Sequence, residues 1–153
     1  MIRNVWSDRN ESLPALTPKK VQEAEVKLGV KLPKSYIELC SIQNGGYLEY
    51  DAFPTLVPTS WADDHVSVDH IRGVNEDGIL DNQYYIDEWG LPNHIVLLCG
   101  DGHSWVALDY RETKENPPII YVDAEYRDEI FILELASDFE SLINGLFIYE
   151  DNE

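Results

Sequence analysis

Apolar positions at helical spacing open the chain. Val21, Ala24 and Leu28 share one face of a segment that starts at Thr17-Pro18 and stops at Gly29. The threonine hydroxyl can accept an orphan amide, proline presets the first helical φ, and glycine supplies a left-handed stop, so this spacing predicts a first helix. Leu32-Pro33-Lys34-Ser35-Tyr36 opens a second, mostly apolar through Tyr36, Ile37, Leu39 and Cys40 and closed by Asn44-Gly45-Gly46. The aromatic-rich stretch from Tyr47 to Phe53, ended by Pro54, predicts one edge strand. Val66, Val68 and Ile71 predict another strand, and Ile79 to Trp89 a short helix ended by Gly90-Leu91-Pro92.

From Ile95 the alternation changes. Ile95-Val96-Leu97-Leu98-Cys99 is continuously apolar, Gly100-Asp101-Gly102 reads as a turn, and Trp105 to Tyr110 as its hairpin partner. Beyond Pro117-Pro118, the stretch with Ile119 and Tyr121 and that from Phe131 to Leu135 predict two more strands, joined through a polar connection around Arg127-Asp128. A closing helix follows, with Ser137 and Glu140 as a capping box and Phe139, Leu142, Ile143, Leu146 and Phe147 along one face. Two helices, a run of strands and a helix indicate an α+β fold: a mostly antiparallel sheet with two N-terminal helices and a C-terminal helix packed against it. The 153 residues suit one domain, 1–153, with residues 1–16 as an N-terminal extension and 148–153 as a short acidic tail.

Charge narrows the function classes. Eleven Lys and Arg face 29 Asp and Glu, a net charge of −18, far beyond the magnitude of roughly 2–8 usual for a small domain. Met1 to Cys40 carries seven bases and five acids, whereas Ser41 to Glu153 carries four and 24. Such a field argues against direct binding to nucleic acid or an anionic membrane and favours either solubility or a cationic partner. Cys40 and Cys99 sit in apolar contexts without a second thiol at metal spacing, as buried reduced thiols would. The start lacks a secretory apolar core and no stretch approaches a membrane span, so the expected location is the cytoplasm.

Motifs with defined chemistry are missing. There is no dinucleotide fingerprint, phosphate loop, zinc helix or Cys-x-x-Cys, and no cofactor is implied. Gly102-His103-Ser104-Trp105-Val106 has Val106 where a nucleophile elbow needs glycine, and a strand follows it, so Ser104 reads as a hairpin-flanking serine. His65 and His70 each follow an aspartate, but a spacing of five gives them no common helical or strand face, and they read as solvated histidines on an acidic loop. The expectation is a protein that is not an enzyme and holds no metal.

The acidic stretch says more. Ala62 to Trp89 holds Asp63, Asp64, Asp69, Glu76, Asp77, Asp81, Asp87 and Glu88 against Arg72 alone, interleaved with Tyr84, Tyr85 and Trp89 and preceded by Trp61. It departs from a calcium loop, leaving a solvated face or a docking face in which carboxylates ring aromatic anchors. Trp61, Tyr85 and Trp89 are the candidate anchors, and Asp123, Glu125, Asp128 and Glu129 candidate flanking carboxylates.

Leu32-Pro33-x-x-Tyr36 after an amphipathic helix, Asn44-Gly45-Gly46, Gly100-Asp101-Gly102 leading to Trp105 and Asp109, and Ala136-Ser137-Asp138-Phe139-Glu140-Ser141-Leu142 occur in this order. In that succession the chain resembles the SUKH superfamily, which contains the fungal cell-wall-synthesis regulator and many bacterial immunity proteins. The resemblance implies a binding scaffold without catalysis, whose bacterial members mostly neutralise a toxin domain, often a nuclease. The expected function is therefore an immunity protein that binds a cognate cationic nuclease, an RNase ahead of a DNase, stoichiometrically and non-covalently. The alternative is a regulatory scaffold in cell-wall or signalling pathways. A second copy of the chain is a further partner compatible with this reading.

Overall fold

A computed structural model describes residues 2–8, 16–59, 62–100, 104–124 and 130–149. Helix α1 (Pro18–Leu28) starts where the sequence places it: the Thr17 hydroxyl accepts from the Lys20 N–H at 3.3 Å, and Gly29 closes the helix with φ 70°. Helix α2 (Lys34–Ile42) follows Pro33 and buries Tyr36, Leu39 and Cys40. The stretch expected as one strand from Tyr47 to Phe53 forms two: β1 (Gly46–Tyr47) and β2 (Ala52–Pro54). They pair antiparallel with different partners, β1 with β4 (His70–Ile71) and β2 with β3 (His65–Ser67). A 3-10 turn at Ile79–Asp81 leads into α3 (Asn82–Trp89), closed by Gly90 at φ 64°.

Strands β5 (Ile95–Gly100), β6 (Ser104–Asp109), β7 (Ile119–Asp123) and β8 (Phe131–Ala136) form the antiparallel meander in chain order. Helix α4 (Phe139–Gly145) is capped by Asp138, which accepts from the Ser141 N–H at 2.8 Å, and not by Ser137. The helix ends at Gly145, so Phe147 leaves it and bridges Ala52 instead.

The sheet is apolar on both faces because both are covered, which explains the unbroken run in β5. One face places Val96, Leu98, Val106, Leu108, Ile119 and Tyr121 against Tyr36, Leu39, Phe139, Leu142 and Ile143. The other places Ile95, Leu97, Trp105, Ala107, Ile120 and Val122 against Ile86 and Leu91 at α3. The Tyr36 and Phe139 rings meet edge to face at 5.4 Å, joining α2 to α4. Residues expected as an N-terminal extension belong to the core: Ile2 and Val5 are buried, and the Trp6 indole N–H donates to the Leu39 carbonyl at 3.0 Å.

Two buried asparagines hold these layers together. The Asn44 side chain accepts from the Val74 N–H at 2.7 Å and donates to the Val74 carbonyl at 3.2 Å. Gly45, at φ 93°, lies so close to Gly73 that a Cβ would sit 2.6 Å from the Gly73 nitrogen. Asn82 repeats the device on the open edge of β5, donating to the Ile95 carbonyl at 2.7 Å and accepting from the Leu97 N–H at 2.8 Å. Where the β5–β6 register slips between Leu97 and Cys99, the Leu98 carbonyl instead accepts from the Arg72 N–H at 2.7 Å.

Asn44→Ala strands a buried amide and carbonyl, so it should lower unfolding free energy by about 1–3 kcal/mol in urea denaturation, while Glu76→Ala, in an exposed turn, should stay within about 0.5 kcal/mol. Equal effects would refute the role given to this clamp. Burial pushes the Cys40 thiol from its ordinary 9.0 up to about 12, and burial also raises the Tyr36 hydroxyl. Both favour the protonated, folded state, so their contribution is complete below pH 9 and is lost as pH rises toward 12. The urea midpoint should fall across that window, less steeply in Cys40→Ala; a midpoint flat to pH 11 would contradict this.

Candidate functional site

Pairing of β1 with β4 sets Tyr47 opposite His70 and creates a cleft on each side of the imidazole. The first, about 200 Å³, lies between β3–β4 and the ends of β5 and β6, with Ser67, Asp69, Gly100, Ser104, Trp105 and Tyr121 in its walls. Gly100 shapes it: a Cβ there would collide with the Trp105 ring, so glycine lets the indole lie over the β5 backbone. The His70 Nδ1 lies 2.7 Å from an oxygen of Asp69, whose side chain is 58% exposed. The second groove runs from Asn44 and Tyr47 past Arg72 to Asn75 and Asp77. Arg72 spans its floor, donating to the Gly78 carbonyl and lying over the Tyr85 ring at 4.7 Å.

Of the acidic candidates, Asp69 lines the first cleft and Asp77 the second. Asp63 and Asp64 are exposed between β2 and β3, Glu76 and Asp77 in the turn after β4, and Asp87 and Glu88 on α3. Asp81 is half-buried at the start of α3 and makes no capping bond. Asp87 accepts from the Gln83 amide at 2.9 Å, an i,i+4 contact on an exposed face. Trp89 is 38% exposed at the end of that helix, and Tyr84 and Tyr47 are more exposed still.

Several sequence expectations need correction. Tyr85 is half-buried against the second core cluster, 5.5 Å from the Trp105 ring, and is a packing residue before it is an anchor. Asp123 is 2% exposed and accepts from the Tyr121 hydroxyl at 3.3 Å, so it presents no carboxylate to a partner. His65 is not solvated: it is 5% exposed, stacked on Tyr149 at 4.1 Å and held by Asp64 at 2.9 Å. Trp61, Glu125, Asp128 and Glu129 lie outside the described residues. Tyr47 and the Ser67–Asp69–Ser104–Trp105 grouping were missed, because only the β4 alignment brings them together. Among the described residues no cluster of three or more His, Cys, Asp or Glu could hold a metal, and no helix is long and apolar enough to cross a membrane.

A model of the SMI1 / KNR4 family (SUKH-1) matches residues 15–145. The chain belongs to this family. No curated protein matches the chain. The SUKH-1 family includes immunity proteins beside SMI1/KNR4-like domains and is generally non-enzymatic. In this SUKH-1 chain the motif residues do structural tasks. Tyr36 donates its hydroxyl to the Arg72 carbonyl at 2.6 Å, Asn44 clamps Val74, Gly100 admits Trp105, and Asp138 caps α4. Asp109 is fixed by Arg111 through contacts of 2.8 and 3.0 Å; burial opposes its charge, but the guanidinium outweighs that and holds the carboxyl below its ordinary range.

Tyr85→Ala should destabilise the fold by about 2–4 kcal/mol, since it removes a ring packed on Trp105 and Arg72, whereas Tyr84→Ala should change stability by less than about 0.5 kcal/mol. Chemical denaturation of the two variants checks this, and matching losses would mean that Tyr85 is as dispensable to packing as its exposed neighbour.

Proposed function

We propose that this SUKH-1 chain is an immunity protein that neutralises a cognate toxin by stoichiometric, non-covalent binding. The observation that carries the reading is a set of exposed carboxylates, Asp63, Asp64, Asp69, Glu76, Asp77, Asp87 and Glu88, of which Asp69 and Asp77 each line a cleft, on a scaffold of a family that includes immunity proteins. A nuclease presents a cationic groove to its substrate, and an acidic protein approaching it gains steering of about 10- to 1,000-fold in association rate. The toxin is accordingly a cationic nuclease, an RNase ahead of a DNase. Binding takes place in the cytoplasm, where the two buried thiols stay reduced, and the binding unit is the single domain of residues 1–153. The family's SMI1/KNR4-like members favour a second reading, a regulatory scaffold whose loss alters growth without any toxin.

Co-expression with the C-terminal domain of the toxin encoded by the adjacent gene should rescue survival and yield a recoverable complex. Replacing Asp63, Asp64, Asp87 and Glu88 together by Lys should slow association at least about tenfold at low salt and flatten its salt dependence. Unchanged protection and an unchanged rate would remove these carboxylates from the interface. Absence of both complex and protection, against a toxin that kills, would favour the regulatory reading.

A further inference from the structure

The cleft between β3–β4 and the ends of β5 and β6 differs from three others among the described residues. The groove from Asn44 to Asp77 has its amide and guanidinium committed to the fold, through Val74, Gly78 and Tyr85. A cavity beside α1 balances Glu25 and Glu115 with Lys31 and Lys114, and one beneath α1 and α3 has no carboxylate among the described residues of its lining. Among the described residues, the first cleft combines one carboxylate, an imidazole, two serines, an indole, a phenol ring and no Lys or Arg. Only one oxygen of Asp69 is engaged, by His70; the other has no partner among the described residues.

We propose that this cleft receives the guanidinium of one arginine presented by the protein's partner, with Asp69 as the counter-charge. The identity of that partner rests on the immunity reading, whereas the chemistry of the pocket does not. At about 200 Å³ the cleft is smaller than the roughly 300–1,000 Å³ of small-molecule sites and suits a single side chain. A planar guanidinium can place two N–H groups on a carboxylate, donate further to hydroxyl oxygens such as those of Ser67 and Ser104, and lie against an indole. An ammonium is a point charge and uses neither the planar wall nor the paired geometry. The wall is rigid: Trp105 is 4% exposed and backed by Tyr85, and its ring is fixed over Gly100. The Trp105 indole N–H is buried with no hydrogen-bond partner among the described residues.

The test is a titration of the ¹⁵N-labelled protein with N-acetyl-arginine methylamide, alongside the lysine and norleucine analogues. Saturable shifts are expected at the Ser67, Gly100 and Ser104 amides and at the Trp105 indole, weaker with lysine and absent with norleucine. Asp69→Asn should weaken them about tenfold or more, and Glu23→Gln, at an exposed acid of α1, should leave them unchanged. Lack of saturable shifts at these four groups, or equal binding of lysine or norleucine, would overturn the proposal. With the toxin domain, Asp69→Asn should raise Kd about tenfold, and an unchanged Kd would remove arginine capture from the complex. A protein that binds the arginine probe yet no toxin would sink the immunity reading while leaving the cleft chemistry intact.

Discussion

The carboxamide of Asn44, closed on both backbone groups of Val74, is the contact on which the arrangement of layers depends. It fixes the end of α2 against the segment from Ile71 to Val74, and that segment then serves three partners. Ile71 pairs with Gly46, the Arg72 N–H reaches the Leu98 carbonyl, and the Arg72 carbonyl receives the Tyr36 hydroxyl. A side-chain amide suits this position because it offers a donor and an acceptor in one plane, matching a peptide group without another strand. Gly45 and Gly73 bring the two backbones into contact, and neither tolerates a Cβ there. Asn82 does the same for the outer edge of β5, bonding the Ile95 carbonyl and the Leu97 N–H.

The cleft beside Asp69 follows from that geometry. Because β4 is held at the slipped register of β5, Asp69 and His70 stand beside Gly100 and Trp105 and do not continue the ladder. Its floor is core: Trp105 belongs to the second apolar cluster, and filling Gly100 would displace it. Its other side comes from the short strands β3 and β4 and the residues between them, where Asp69 is exposed.

Local signals were legible wherever a local interaction decides the outcome. Thr17, Pro18 and Gly29 bound α1 because capping and φ preferences act within one turn, and the apolar runs of β5 to β7 announce a sheet covered on both sides. Asn44-Gly45-Gly46 reads as a helix stop, but its larger task is a contact 30 residues away that no local pattern carries. Tyr85 among acids reads as an anchor until Trp105, from a strand 20 positions on, is found against it, and His65 reads as solvated until Tyr149 covers it. Ser137 and Asp138 are both good caps, and the choice between them depends on where β8 releases the chain.

The family motifs and the charge therefore belong to different parts of the molecule. Tyr36, Asn44, Gly100, Trp105, Asp109 and Asp138 satisfy backbone groups, fill the core or pair internally, and a partner approaching the exposed acids does not meet them as a set. The acids sit on loops, turns and the outer side of α3, where desolvation is small and a carboxylate costs the fold little beyond mutual repulsion. A scaffold divided in this way keeps its stability while its electrostatic face changes. Only at the cleft do the two meet, where a shape set by Gly100 and Trp105 is combined with a charge set by Asp69.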